Sequence, residues 1–158
     1  MKTMKLFLAV VLMACALGSQ AADKDSYSVV YTARGDFEFI RDAIAAAVEG
    51  QGLKINHFNK ISAMLDNTAA AVGSTRKIYL NAEQIEFCSA TVSRQMMEAD
   101  PHSVAMCPYI ISIYNLPADP KTIYVSYRKP PVVSSPKSRA AFRAEEKLLD
   151  SIIKEGIQ

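Results

Sequence analysis

The chain is predicted to be an α+β protein, a two-layer sandwich of a mixed sheet and helices. Three observations predict it. Apolar residues recur with alternating periods of about 2 and 3.6 along the chain, in the order βαβαβαββ plus a C-terminal helix. The last two strands are joined by a short turn, which excludes a purely parallel sheet. Of 158 residues, 50% are hydrophobic and 22% charged, the make-up of a single globular domain.

Tyr27, Val29, Tyr31 and Ala33 alternate with Ser28, Val30 and Thr32 as in a half-buried strand, and Gly35-Asp36 supplies a turn and a helix cap. Phe37, Ile40, Ile44, Ala47 and Val48 then share one helical face, which Gly50-Gln51-Gly52 ends. This glycine pair closes a helix where a nucleotide-binding loop would open one. A strand is expected over 53–60, with helical spacing over 61–72 up to a stop at Gly73. Residues 85–87 read as a short strand. Ser89 caps the following helix, which ends at Asp100-Pro101. Strands over 109–114 and 122–128 flank the turn-forming run Asn115-Leu116-Pro117-Ala118-Asp119-Pro120. A Pro/Ser-rich tether follows, and after Ser138 comes an amphipathic helix carrying Leu148, Leu149, Ile152 and Ile153. The expected organisation is a leader over 1–21, an α+β domain over 22–130, and a tether with C-terminal helix over 131–158.

The leader reading rests on Lys2 and Lys5, the apolar run over 6–17, and small Ser19 and Ala21 at a signal-peptidase site. A run of 12 is short of the roughly 20 residues a membrane helix needs. A periplasmic chain beginning at Ala22 and lacking a transmembrane helix is therefore expected. Leu12-Met13-Ala14-Cys15 resembles a lipobox, so a lipoprotein anchored at Cys15 is the alternative. The net charge of +2 equals Lys2 plus Lys5. Without them 16 basic face 16 acidic side chains, which argues against a general nucleic-acid binder.

Cys88 and Cys107 form an even pair in an oxidising compartment. Three readings of them stand together. A Cys88–Cys107 disulfide would close a loop of about 20 residues and contribute on the order of 3 kcal/mol. The cysteines could instead be buried apolar residues, or, with His102 and a methionine, ligands for copper or haem iron. No Cys-x-x-Cys-His or Cys-x-x-Cys occurs. The two histidines, His57 and His102, lie too far apart for a zinc pair. Cys88, just before a helix, is expected to have a lowered pKa. Tyr109, Tyr114, Tyr124, Tyr127 and Arg128 gather on the late strands. Cross-strand packing is the first expectation there, with Tyr109 and Arg128 as candidate ligand-binding residues beside Cys88, His102 and Cys107. No catalytic residue is nominated.

Several stretches together carry a family resemblance: Met64-Leu65 with Gly73, Glu86-Phe87-Cys88-Ser89-Ala90, Asp100-Pro101, Cys107-Pro108-Tyr109, Ile113-Tyr114, and Val125-Ser126-Tyr127-Arg128. Over residues 26–130 and the final helix the chain resembles the family called domain of unknown function 302, in an exported form. Family members often place Cys-Asn-Pro where this chain has Cys88-Ser89-Ala90, and Pro-Cys where it has Pro108-Tyr109. The resemblance implies a compact two-layer domain able to form a homodimer, and no established activity. The expected function is an exported small-ligand-binding or accessory protein with a Cys/His/Met site. The alternatives are a disulfide-stabilised interaction protein and a thiol-dependent redox protein.

Overall fold

A computed structural model describes residues 26–158, and the expected leader with Cys15 lies outside them. Strand β1 (Ser28–Arg34) leads into helix α1 (Phe37–Gly50). The Asp36 carboxylate caps this helix by accepting from the amides of Glu38 and Phe39 at 2.9 and 3.1 Å. All five residues of its expected apolar face, Phe37, Ile40, Ile44, Ala47 and Val48, are buried. Strand β2 (Lys54–Lys60) is followed by helix α2 (Ile61–Thr68) and a 3-10 turn (Ala70–Val72), which stops at left-handed Gly73. Strand β3 (Asn81–Cys88), helix α3 (Ala90–Ala99) and a second 3-10 helix (Pro101–Met106) lead to the hairpin of β4 (Tyr109–Leu116) and β5 (Asp119–Arg128). Helix α4 (Pro136–Gly156) closes the chain.

The strands form one sheet in the order β1-β5-β4-β3-β2. Every pair is antiparallel, so the two-layer α+β reading stands while the expected mixed sheet becomes a wholly antiparallel one. The cause is where α1 delivers the chain. It carries it from one edge to the other, so that β1 and β2, which run in the same direction, never become neighbours.

Helices α1, α3 and α4 cover one face, and the core lies between them and the inward side chains Ile85, Phe87, Ile111, Ile113, Ile123 and Val125. Helix α4 belongs to this core, because Ala141, Phe142, Leu149, Ile152 and Ile153 are buried in it. It also begins earlier than expected. Ser135 caps it rather than Ser138, and Pro136, which lacks an amide hydrogen, takes the first turn. The guanidinium of Arg139 donates to the carbonyls of Val133 and Ser134, tying the short tether to the helix it precedes. Among the described residues no helix is long and apolar enough to cross a membrane.

Candidate functional site

The β3–β4 register pairs Phe87 with Tyr109. Cys88, one residue beyond Phe87, and Cys107, two before Tyr109, therefore arrive at the same end of the sheet. The two thiols are electrostatic neighbours there. Both are half-buried free thiols, so the disulfide expected between them is not formed in this structure. Each sulfur is instead held by a polar neighbour. Asn56 on β2 reaches Cys88 Sγ at 4.0 Å, and Ser93 Oγ lies 3.1 Å from Cys107 Sγ.

Burial, and then the adjacent Cys107, push the Cys88 thiol above its ordinary pKa, against the Tyr109 amide and Asn56, which lower it. This reverses the expectation from the helix N-terminus. Ser89 occupies the cap and gives its hydroxyl oxygen to the amide of Val92 at 3.3 Å, while Cys88 remains in the strand. The Cys88 thiol is thus protonated at neutral pH rather than primed as a thiolate.

Ser93 is buried one turn into α3, and its hydroxyl has two partners, Cys107 Sγ and the phenol oxygen of Tyr109, each at 3.1 Å. Tyr109 is 2% exposed and stands edge-on to Phe87 with ring centroids 5.9 Å apart. Burial raises its phenol pKa; Cys107, Glu145 and Cys88 raise it further, while the Ser93 hydrogen bond lowers it.

Glu145, on α4, is 3% exposed, and its Oε2 has no hydrogen-bond partner. Burial and neighbouring Glu146 push its carboxyl pKa up to about 7, with Arg128 pulling the other way. Glu145 and Tyr109 line one small cavity of about 20 Å³, together with Met106, Pro108 and Arg128.

Of the five expected site residues, Cys88, Cys107 and Tyr109 are brought together. Arg128 stands at the exposed end of β5, bordering the Glu145 cavity on one side and a groove on the uncovered sheet face on the other. His102 is exposed on the 3-10 helix and lines a different depression with Val133 and Ser134. Met96 is fully buried in the core. Among the described residues no three His, Cys, Asp or Glu side chains group to hold a metal. The tyrosine cluster divides between the two faces. Tyr114 and Tyr124 stack at 5.1 Å on the uncovered face, whereas Tyr109 and Tyr127 point toward the helices.

Ser93 and Glu145 were not singled out from the sequence. For Glu145 a signal existed: Ala141, Phe142, Glu145, Leu149 and Ile152 fall on one helical stripe, and a carboxylate on an apolar stripe is anomalous.

No curated protein matches the chain. The crystal structure of an uncharacterized conserved protein from Bacillus stearothermophilus shares the fold, with a TM-score of 0.69 and 10% identity over 84% of this chain and 98% of that one. The model of the family described as "Domain of unknown function DUF302" matches residues 28–155, from the first residue of β1 to the last turn of α4, and the chain belongs to that family.

Proposed function

We propose that the protein is an exported periplasmic accessory protein whose working group is the Cys88–Cys107 pair, cycled between dithiol and disulfide by exchange with partner thiols. The observation that carries this reading is that the β3–β4 register brings two half-buried free thiols from separate elements to the same end of the sheet as electrostatic neighbours. Exchange with a partner disulfide breaks that S–S bond, forms the Cys88–Cys107 bond and returns two partner thiols. Export is supported by Lys2, Lys5, the apolar run over 6–17 and the Ser19-Gln20-Ala21 site.

The test is to incubate the reduced native protein with oxidised glutathione, quench with acid, unfold, alkylate and weigh it. Loss of both alkylation sites, restored by dithiothreitol, is expected. Cys88→Ser and Cys107→Ser should each stop at a mixed disulfide with glutathione. Two thiols that remain alkylatable after prolonged oxidation overturn the reading. Intact mass of the secreted protein checks export: a chain starting at Ala22 is expected, and a diacylated species starting at Cys15 would make it a lipoprotein.

A second reading, small-ligand binding, is favoured by the groove on the uncovered sheet face. It has a volume of about 490 Å³ and is lined by Tyr27, Tyr79, Tyr114, Ser112, Ser126 and Arg128. That volume is within the usual range for small-molecule sites, and the mix of rings, hydroxyls and one guanidinium suits a small planar anion. Titration with benzoate, followed by tyrosine fluorescence, should saturate in the wild type and weaken in Arg128→Ala. An unsaturable signal unaffected by that substitution removes this reading.

A further inference from the structure

A buried carboxylate with an unpartnered oxygen is costly to keep, since desolvation opposes its charge and nothing nearby satisfies it. Glu145 occupies a position on α4 that its neighbours Ala141, Phe142 and Leu149 fill with apolar groups. Its surroundings connect it to the thiol pair. Starting from the sulfurs, Cys88 is an electrostatic neighbour of Cys107, Cys107 Sγ contacts Ser93 Oγ at 3.1 Å, and Ser93 Oγ contacts the Tyr109 phenol at 3.1 Å. Both hydroxyls can donate one hydrogen bond while accepting another, which is what a proton relay requires. Tyr109 in turn lines the same cavity as Glu145, and its electrostatic neighbours include the two thiols and Glu145. At about 20 Å³ that cavity admits one water molecule.

We infer that Glu145 is the proton acceptor built into this site: the proton leaving Cys107 during oxidation of the pair passes through the Ser93 and Tyr109 hydroxyls and one cavity water to the Glu145 carboxylate. This rests on the dithiol–disulfide reading given above. With a small disulfide as oxidant, the Cys107 thiolate so formed attacks one oxidant sulfur and its S–S bond breaks. The first partner thiolate leaves and takes a proton from solvent. Cys88 then attacks the Cys107 sulfur, and its proton passes to the second leaving thiolate. The products are the Cys88–Cys107 disulfide, protonated Glu145 and two partner thiols; reduction reverses each step.

The ionisable groups facing Glu145 are Tyr109 from β4, Tyr127 and Arg128 from β5, and Glu146 from its own helix. Arg128 favours the carboxylate and Glu146 opposes it, and burial sets the carboxyl pKa at about 7. Such a group exchanges protons at neutral pH, whereas an ordinary glutamate would already be fully ionised and a poor base.

The experiment measures the rate of disulfide formation with oxidised glutathione from pH 5 to 9 in the full mature chain, comparing wild type, Glu145→Gln, Ser93→Ala and Tyr109→Phe. In the wild type the rate should rise through about pH 7 and level off before thiol ionisation raises it again. The variants should keep only the later rise and be slower at pH 7 by about tenfold or more, the scale of general-base contributions. A reduced-minus-oxidised infrared spectrum of the wild type should show a protonated-carboxyl band that Glu145→Gln removes. If Glu145→Gln fails to fold, the Ser93→Ala profile and the wild-type infrared band decide. A wild type that oxidises with the same profile as the variants and shows no carboxyl band overturns the role of Glu145 alone. A wild type that forms no disulfide at any pH overturns the dithiol reading, and this inference with it.

Discussion

Two glycine-to-alanine substitutions in adjacent helices should shift stability in opposite directions. Intrinsic propensity favours alanine inside a helix by about 1 kcal/mol. At Gly156, in the last turn of α4, an added Cβ would lie 2.6 Å from Ile44 Cδ1, 2.9 Å from Ile44 Cα and 3.0 Å from Ile44 N. The first of these atoms can swing away. The other two are backbone in the middle of α1 and move only if the helix moves. Overpacking of this kind costs about 1–3 kcal/mol. It outweighs the propensity gain, which is reduced further at a helix end, so Gly156→Ala should be destabilised by about 1–2 kcal/mol. At Gly50, the last residue of α1, the nearest atom to a new Cβ is Glu155 Oε1 at 3.7 Å, an ordinary contact, and Gly50→Ala should be neutral or slightly more stable. Urea unfolding followed by far-ultraviolet circular dichroism reads the difference. With a slope of about 2 kcal/mol per molar, the Gly156→Ala midpoint should fall by about 0.5–1 M. A Gly156→Ala protein as stable as the wild type would refute the claim that α1 and α4 approach backbone to backbone at this point.

Further outcomes follow from the same packing. Because burial raises the Glu145 carboxyl to about 7, the folded state holds a proton that the unfolded chain loses near its ordinary value. Wild-type stability should therefore fall as pH rises from about 4.5 to 7 and then level off, by up to about 3 kcal/mol in all, and Glu145→Gln should flatten that slope in urea titrations at each pH. Tyr31 and Tyr127 both donate to Asp150 Oδ1, at 2.5 and 2.7 Å. Burial pushes this carboxyl up, yet the two phenols and Lys154 outweigh it and hold it below the usual range. Tyr127→Phe should cost about 1–2 kcal/mol at pH 7. Part of that loss should vanish as pH falls through the Asp150 pKa, seen as converging thermal midpoints. Removing residues 136–158 strips Phe142, Leu149, Ile152 and Ile153 from the core, so the shortened chain should show no cooperative thermal transition.

What the sequence disclosed follows from which patterns are local. The α1 face and its Asp36 cap were legible because spacing and cap lie within a few turns of each other. Strand β3 was seen only over 85–87 and extends over 81–88. Its Glu83 shares the inward face of Ile85 and Phe87 and pairs with Arg41, so a charged residue interrupts the alternation that would mark a longer strand. The start of α4 was missed because Pro136 looked like tether, although proline is well suited to a first helical turn. The cysteine pair was legible as a pair. Its bonding state was not, nor was the link through Ser93 to Glu145, because that link joins three helix and strand positions far apart in the chain.

The sheet order has a consequence for how the molecule is assembled. Strand β1 is made first but bonds only to β5, the last strand, with Ser28 opposite Arg128. The β5–β4–β3–β2 stretch can zip through neighbouring pairs, whereas β1 and α1 must wait for β5 and α4, which complete their edge of the sheet and their side of the helical layer. Closing a loop of that length is entropically slow, so folding should finish late and all at once rather than strand by strand. A chain interrupted anywhere before α4 leaves an apolar strand and an amphipathic helix without partners. Such an intermediate is a natural client for a chaperone and a natural seed for aggregation.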